Sequence, residues 1–124
     1  MDIPRPTDAE LSILRVLWSR GPSTVREISD ELNRARTTGY TTVLKLMQIM
    51  TEKGLLLRDE ATRTHVYRPS VSEEKTLRSL MKDMLNRAFG GSAQKLVMQA
   101  LAAKKASPAE LKEIQKVIDQ MKGA

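Results

Sequence analysis

Signals for helix starts and stops in the first seventy residues leave few folds open to this chain. Thr7 and Glu10 form a capping box at the start of a first helix, and Thr24 and Glu27 repeat the pattern after a Gly-Pro break. Apolar residues recur at helical spacing behind each box. The sequence therefore predicts a first helix and a short second helix separated by a tight turn.

A longer third helix is predicted from about residue 38 to residue 53, and Gly54 is placed to take the left-handed conformation that ends many helices. Its outer face carries polar residues that lie within about 80° of one another, namely Thr38, Thr41, Lys45, Gln48 and Glu52. A hairpin follows, with strands at 55–58 and 64–68, and Val66 alternates with polar neighbours in the second strand before Pro69 stops it.

Three helices followed by a two-stranded hairpin are the order of elements in a winged helix, a variant of helix-turn-helix. In that architecture the third helix lies in the major groove, while the second helix and the wing contact the DNA backbone. We therefore expect residues 1–70 to form a winged-helix DNA-binding domain. The fold class is mainly α with a small β-wing.

Three further helices are predicted over residues 71–124, after a Ser-Val-Ser boundary. So short a segment could not bury its Leu and Met stripe alone, so we expect a second copy of the chain to cover it. The alternative is that these helices fold back on the winged helix of the same chain. The candidate dimerisation residues are Leu77, Leu80, Met81, Met84, Leu85, Phe89, Leu96 and Leu101.

Composition excludes several classes of function. The chain has no cysteine and only one histidine, His65, so thiol chemistry and His-rich zinc sites are excluded. Acidic residues are expected at helix caps and on solvated faces, and no nucleotide-binding or metalloprotease motif is present. We expect no enzyme activity, no metal and no cofactor. No apolar run is long enough to span a membrane and the N-terminus does not resemble a signal peptide, so we expect a cytosolic protein.

The position of the basic residues indicates a polyanionic partner more clearly than the net charge does. The net charge is +6, but most of the excess lies in the second half of the chain. Between Arg34 and Lys45 there are three basic residues and no acidic one. The candidate DNA contacts lie in this stretch, on the outer face of the third helix and on the wing: Arg36, Thr38, Thr41, Thr42, Lys45, Gln48, Arg63 and His65. The glycine at position 39 would let backbone amides approach a phosphate closely.

These residues resemble the BlaI/MecI/CopY family of bacterial repressors over nearly the whole chain. The resemblance rests on the segment from Thr7 to Trp18, on Val-Arg-Glu-Ile at 25–28, on the Thr-Val pair at 42–43 with the Lys-Gly at 53–54, and on His-Val-Tyr at 65–67. It implies a homodimeric repressor that binds an inverted repeat, with interlocking C-terminal helices and groove-facing residues around Thr41, Thr42 and Lys45.

The chain departs from the family pattern where induction is concerned. Basic residues are typical of the penicillinase branch where Leu44 and Ile49 stand here. The antibiotic-linked members are cut by a sensor protease at an Asn-Phe bond in the fifth helix, where this chain has Gln99 and Ala100. The copper-responsive branch uses a Cys-x-Cys pair that is absent here. A sensor protease acting on the C-terminal region is thus a candidate partner, although this chain lacks the bond that such a protease cuts in the antibiotic-linked members.

Two other functions are compatible with a winged helix. One is a protein-interaction module that does not bind duplex DNA in a salt-dependent manner. The other is an RNA-binding winged helix that has no preference for palindromic duplex DNA. The family resemblance favours the repressor over both.

Overall fold

A computed structural model describes residues 4–61 and 63–123 of the chain. Within these ranges the chain forms six helices and one two-stranded antiparallel sheet. The elements are α1 (Asp8–Arg20), α2 (Val25–Ala35), α3 (Tyr40–Glu52), β1 (Leu56–Asp59), β2 (Val66–Pro69), α4 (Glu73–Arg87), α5 (Ala93–Ala103) and α6 (Pro108–Gly123). The predicted order of elements and the fold class, mainly α with a β-wing, are confirmed.

Both N-terminal capping boxes are present. The Thr7 hydroxyl accepts the Glu10 backbone N–H at 3.2 Å, and the Glu10 carboxylate accepts the Thr7 N–H at 2.9 Å. Thr24 and Glu27 make the same two bonds at the start of α2. Each box satisfies backbone donors that a helix start otherwise leaves without partners.

The start of α3 differs from the prediction. The helix begins at Tyr40, with Gly39 as an extended N-cap residue, so Thr38 lies before the helix. The reason is local, because the backbone at Gly39 is extended, with ψ 142, and the preceding Thr38 N–H donates to the side chain of Asn33 at 2.7 Å. At the other end Gly54 has φ +86, the left-handed conformation that was predicted.

The hydrophobic core of the winged helix is mainly aliphatic. The three helices each present an apolar face to it, and the loop and hairpin after α3 close it with Leu55, Leu56 and Tyr67. Its helical members are Ile13, Leu14 and Leu17 of α1, Val25 and Ile28 of α2, and Val43, Met47 and Met50 of α3. All of these side chains are buried, so the three helices are held against one another by burial of apolar surface.

The hairpin lies one to two residues later than predicted, and the buried residue of its second strand is Tyr67, not Val66. Leu56 pairs with Pro69 and Asp59 pairs with Val66. Tyr67 also exchanges both backbone hydrogen bonds with Ser23, at 2.8 and 3.0 Å. This bridge from the α1–α2 connection draws Tyr67 into the core, where it is 2% exposed. The bridge joins residues 44 positions apart, so local alternation could not predict it.

Contacts divide the chain into two compact units, the first ending at Met81 and the second beginning at Lys82. The first unit thus runs beyond residue 70, because the Trp18 indole N–H donates to the Val71 carbonyl at 3.2 Å and Thr76 is buried. A functional boundary at residue 70 stays a prediction. None of the helices in the described ranges is long and apolar enough to cross a membrane.

In the second unit, α5 and α6 have capped starts but no buried residue. Ser92 caps α5, and Ser107 with Glu110 forms a capping box on α6. Gly90 and Gly91 separate α4 from α5 with φ values of +56 and +83, which side chains on L-residues disfavour. Local signals therefore set the starts of these helices, and none of their apolar side chains is fully buried in the described part of the chain.

Candidate nucleic-acid interface

The two faces of α3 differ sharply in burial. Val43, Met47 and Met50 are fully buried. Thr41, Lys45 and Gln48 are exposed on the opposite side, as the predicted helical periodicity requires, and Thr42 is exposed beside them. The apolar face anchors the helix in the core, so the outer face is presented by a rigid element.

The turn between α2 and α3 holds Arg36 and Thr38. Arg36 is the exposed C-cap of α2, and its backbone N–H donates to the Leu32 carbonyl at 3.3 Å. Asn33 organises the turn, because it accepts the Thr38 N–H at 2.7 Å and donates its amide to the Ser29 carbonyl at 2.8 Å. Sequence reasoning missed Asn33, although a short polar side chain near a helix end is a known signal for such local bonds.

The N-terminus of α3 is open, unlike the starts of α1 and α2. It has no side-chain cap and no acidic residue in its first turn, so its first backbone N–H groups lack helical partners. Gly39 has φ −63, and a Cβ placed there would meet only the Thr42 hydroxyl, at 3.9 Å. The fold itself does not require glycine at this position. An open, uncharged helix start of this kind suits an anion.

Two contacts fix the ends of α3 to the other helices. At its start, the Arg26 guanidinium of α2 lies over the Tyr40 ring, 4.3 Å from the centroid. At its end, the Lys53 ammonium donates to both carboxylate oxygens of Glu10 at 2.8 and 3.0 Å. Sequence reasoning missed both, since neither pair is close in the chain.

Glu10 corrects the expectation that acidic residues serve only as caps and solvated charges. Its side chain is 3% exposed, and it receives hydrogen bonds from both Thr7 and Lys53. Burial alone would raise the pKa of Glu10, but the hydrogen bonds from Lys53 and Thr7 outweigh it and hold the pKa below its usual value. Glu10 is thus a buried carboxylate that ties the start of α1 to the end of α3.

The wing exposes both of the predicted contact residues, Arg63 and His65, near its tip. Arg58 of β1 is differently placed, because it pairs with the Glu60 carboxylate within the hairpin. The hydrogen bond to the Tyr67 hydroxyl and the charge of Glu60 raise the pKa of Arg58. Arg58 is therefore paired within the hairpin, and Arg63, His65 and Arg68 are further exposed basic or imidazole side chains of the wing region.

Other chemistry finds little support in the part of the chain that is described. There, no group of three or more His, Asp or Glu side chains could hold a metal ion. The acidic groups with lowered pKa are helix-capping residues: Glu10, Glu27 and Glu110.

The predicted dimerisation residues fall into two groups. Leu77, Met81 and Met84 of α4 are 51%, 47% and 53% exposed. Half-buried are Leu80, Leu85, Phe89, Leu96 and Leu101. Further exposed apolar residues lie on α5 and α6 and were not among the candidates: Val97, Met98, Leu111, Val117, Ile118 and Met121.

Comparisons with known proteins agree with this arrangement. The family model described as penicillinase repressor matches residues 6–120. The penicillinase repressor of Bacillus licheniformis is 26% identical over 120 residues, which cover 97% of this chain and 94% of that protein. The transcriptional regulator BlaI of Mycobacterium tuberculosis is 34% identical over 87 residues, which cover 69% of this chain and 63% of that protein.

A solved structure is similar to more than half of the chain. It is the solution structure of the DNA binding domain of the repressor BlaI, with a TM-score of 0.52 and 29% identity, covering 58% of this chain and 88% of that one. The family model spans nearly all of the sequence, and the matched structure is that of a DNA binding domain. The chain therefore belongs to the penicillinase repressor family, a family of transcriptional repressors rather than enzymes.

Proposed function

We propose that the protein is a homodimeric repressor that binds an inverted-repeat operator in duplex DNA. In this proposal α3 lies in the major groove and the wing lies along the DNA backbone. Such a protein acts in the cytoplasm, where bacterial operators are. The observation that carries the proposal is the outer face of α3, which is exposed, polar and acid-free from Thr41 to Gln48 while the opposite face is fully buried.

Each side chain of this face has a suitable partner on DNA. Lysine donates to guanine, glutamine pairs with adenine, and threonine bonds a phosphate or places its methyl group against thymine. The open start of α3 supplies backbone N–H groups for a phosphate. The full set of proposed contacts is Arg36, Thr38, Thr41, Thr42, Lys45, Gln48, Arg63 and His65.

The exposed apolar side chains of the second unit support a dimer. Residues of α4, α5 and α6 between 41% and 74% exposed include Leu, Ile, Val and Met, and nothing in the described part of the chain buries them. Large exposed apolar patches mark interaction sites. A second copy is the partner we propose, because a two-fold dimer of winged helices presents two copies of α3 to the two halves of an inverted repeat.

The test is the Lys45→Ala variant on duplex DNA. We expect operator affinity to fall about 5- to 100-fold, the range for losing one base or phosphate contact. The melting temperature should stay within about 2 °C of wild type, because Lys45 is exposed and only mutations that disturb the core or a buried bond are costly.

Lys75→Ala is the matched control, since Lys75 is also an exposed helical lysine but lies on α4. It should change operator affinity less than about threefold. Equal losses in the two variants, or a Lys45→Ala variant that binds as wild type does, would contradict the placement of α3 in the groove. A wild-type protein without salt-dependent duplex binding would favour a protein-interaction module instead.

A further inference from the structure

The chain leaves the hairpin through residues 70–72, here called the exit segment, and this segment is held by specific bonds. The Ser70 N–H donates to the Leu55 carbonyl at 2.9 Å, and the Ser70 hydroxyl donates to the Gly54 carbonyl. The Trp18 indole N–H donates to the Val71 carbonyl at 3.2 Å. The exit segment therefore extends the first unit instead of acting as a loose linker.

Trp18 is well placed to anchor this segment. It lies in the last turn of α1, whose residues Ile13, Leu14 and Leu17 are in the core, and its ring packs against that core. Its N–H reaches 53 positions along the chain to Val71. The exit segment is thus tied to a helix that cannot shift without disturbing the core.

The first turns of α4 continue this arrangement. Thr76 is 3% exposed, and its hydroxyl donates to the Ser72 carbonyl at 3.0 Å, so its polar group is satisfied within the helix. Ser72 in turn accepts the Lys75 N–H at 3.2 Å. The first turns of α4 thus belong to the first unit together with the exit segment, and α4 itself is one helix from Glu73 to Arg87.

We propose that Trp18 is a positioning residue that sets the half-site spacing the dimer accepts. The inference rests on the proposed function, a dimer on an inverted repeat. Each base pair added between half-sites separates them by about 3.4 Å and rotates them by roughly 35°. A winged helix whose exit segment is anchored cannot turn or shift relative to α4 to reach a half-site that has moved. A winged helix whose exit segment is loosened can. Trp18 contacts no DNA in this scheme and acts through the direction of α4.

The experiment uses full-length wild type and Trp18→Phe, which keeps an aromatic ring against the core but has a smaller ring system and lacks the indole N–H that bonds Val71. The probe is the inverted-repeat duplex that wild-type protein selects from a random-sequence library. Binding is measured on this duplex, on versions with one base pair inserted or deleted at the centre, on one with two inserted, and on a single half-site.

We expect wild type to lose at least about tenfold in affinity for each one-base-pair change. Trp18→Phe should lose less than about threefold, and its affinity for the single half-site should match that of wild type. A residue that merely stabilised the fold would lower all affinities together and leave the spacing profile unchanged. Ser12→Ala is the control, because it removes a hydrogen bond to Asp8 on α1 far from the exit segment along the chain, and it should keep the wild-type profile.

Ser70→Ala is a second variant, for the case that Trp18→Phe folds poorly. It removes the hydroxyl bond to Gly54 and, like Trp18→Phe, should reduce the loss of affinity caused by inserting or deleting a base pair between the half-sites. The proposal is overturned if well-folded Trp18→Phe, or Ser70→Ala in its place, keeps the wild-type profile, or if wild type itself shows no spacing preference on an inverted repeat it binds. A wild type that selects no inverted repeat at all would instead overturn the proposed function.

Discussion

At the scale of single residues, Glu10 shows what a local pattern can and cannot predict. The capping box with Thr7 follows from a spacing of three and is confirmed. The bond from Lys53, 43 positions away, depends on how α1 and α3 pack, which no local pattern encodes. Arg26 was missed because its partner, the Tyr40 ring, lies on another helix. Asn33 was missed because its partner is the backbone N–H of Thr38. The side chains that hold α3 in position are therefore harder to predict from sequence than the side chains on its outer face.

The Glu10–Lys53 pair leads to a prediction about stability. In Lys53→Met a buried carboxylate loses its counter-charge, and we expect the free energy of unfolding at pH 7 to fall by about 1–3 kcal/mol, since Lys53 is partly exposed. Chemical denaturation measures this. Lys75→Met, a change of the same kind at an exposed lysine, should alter stability by less than about 0.5 kcal/mol.

The pH dependence of the same pair has a defined sign. The folded-state pKa of Glu10 lies below its usual value, so the pair's stabilisation is present above that usual value and is lost as pH falls through the folded-state pKa. Without Lys53, Glu10 loses the side-chain hydrogen bond and the positive charge that lower its pKa, so its pKa is higher in the variant than in wild type and its carboxylate is protonated sooner as pH falls. The stability deficit of Lys53→Met should thus be smaller at pH 4 than at pH 7. Equal deficits at the two pH values would contradict this assignment.

At the scale of elements, capping residues predicted most helix starts correctly, whereas the alternation of apolar and polar residues did not predict which residue of β2 is buried. Helix starts at Thr7, Thr24 and Ser107 were visible because both partners of each box lie within four residues. The inward position of Tyr67 was not, since it depends on a bridge to Ser23. The start of α3 is the exception among the helices, as Gly39 caps it without a side chain. This open start is the feature we assign to a DNA phosphate.

Gly39→Ala tests that assignment. The backbone there has φ −63 and there is space for a Cβ, so stability should fall by no more than about 1 kcal/mol, the difference between N-cap residues. A methyl group beside the open N–H groups would keep a phosphate away, and operator affinity should fall several-fold in a filter-binding or anisotropy assay. Gly123→Ala, which adds a methyl group in open space on α6, is the control. Unchanged affinity in Gly39→Ala would show that no phosphate approaches α3 there.

At the scale of the whole molecule, the two units differ in how they satisfy their apolar surface. The first unit buries a core within one chain, whereas α5 and α6 bury none of their residues. The Leu and Met stripe of α4 was predicted from heptad-like spacing, but Met98 and Met121, the most exposed apolar side chains, were not chosen as interface residues. Periodicity shows which face of a helix is apolar, and only the folded chain shows which apolar faces remain without a partner.

The mass of the protein–DNA complex tests the central claim, a dimer on an inverted repeat, most directly. Light scattering of wild type on its selected inverted-repeat duplex should give two protomers per duplex, and binding should weaken steeply with salt. The Leu80→Asp, Met84→Asp double variant should be monomeric without DNA and should bind the single half-site as wild type does, but lose the gain from the second half-site. One protomer per inverted repeat for wild type, or a dimeric double variant, would contradict the account.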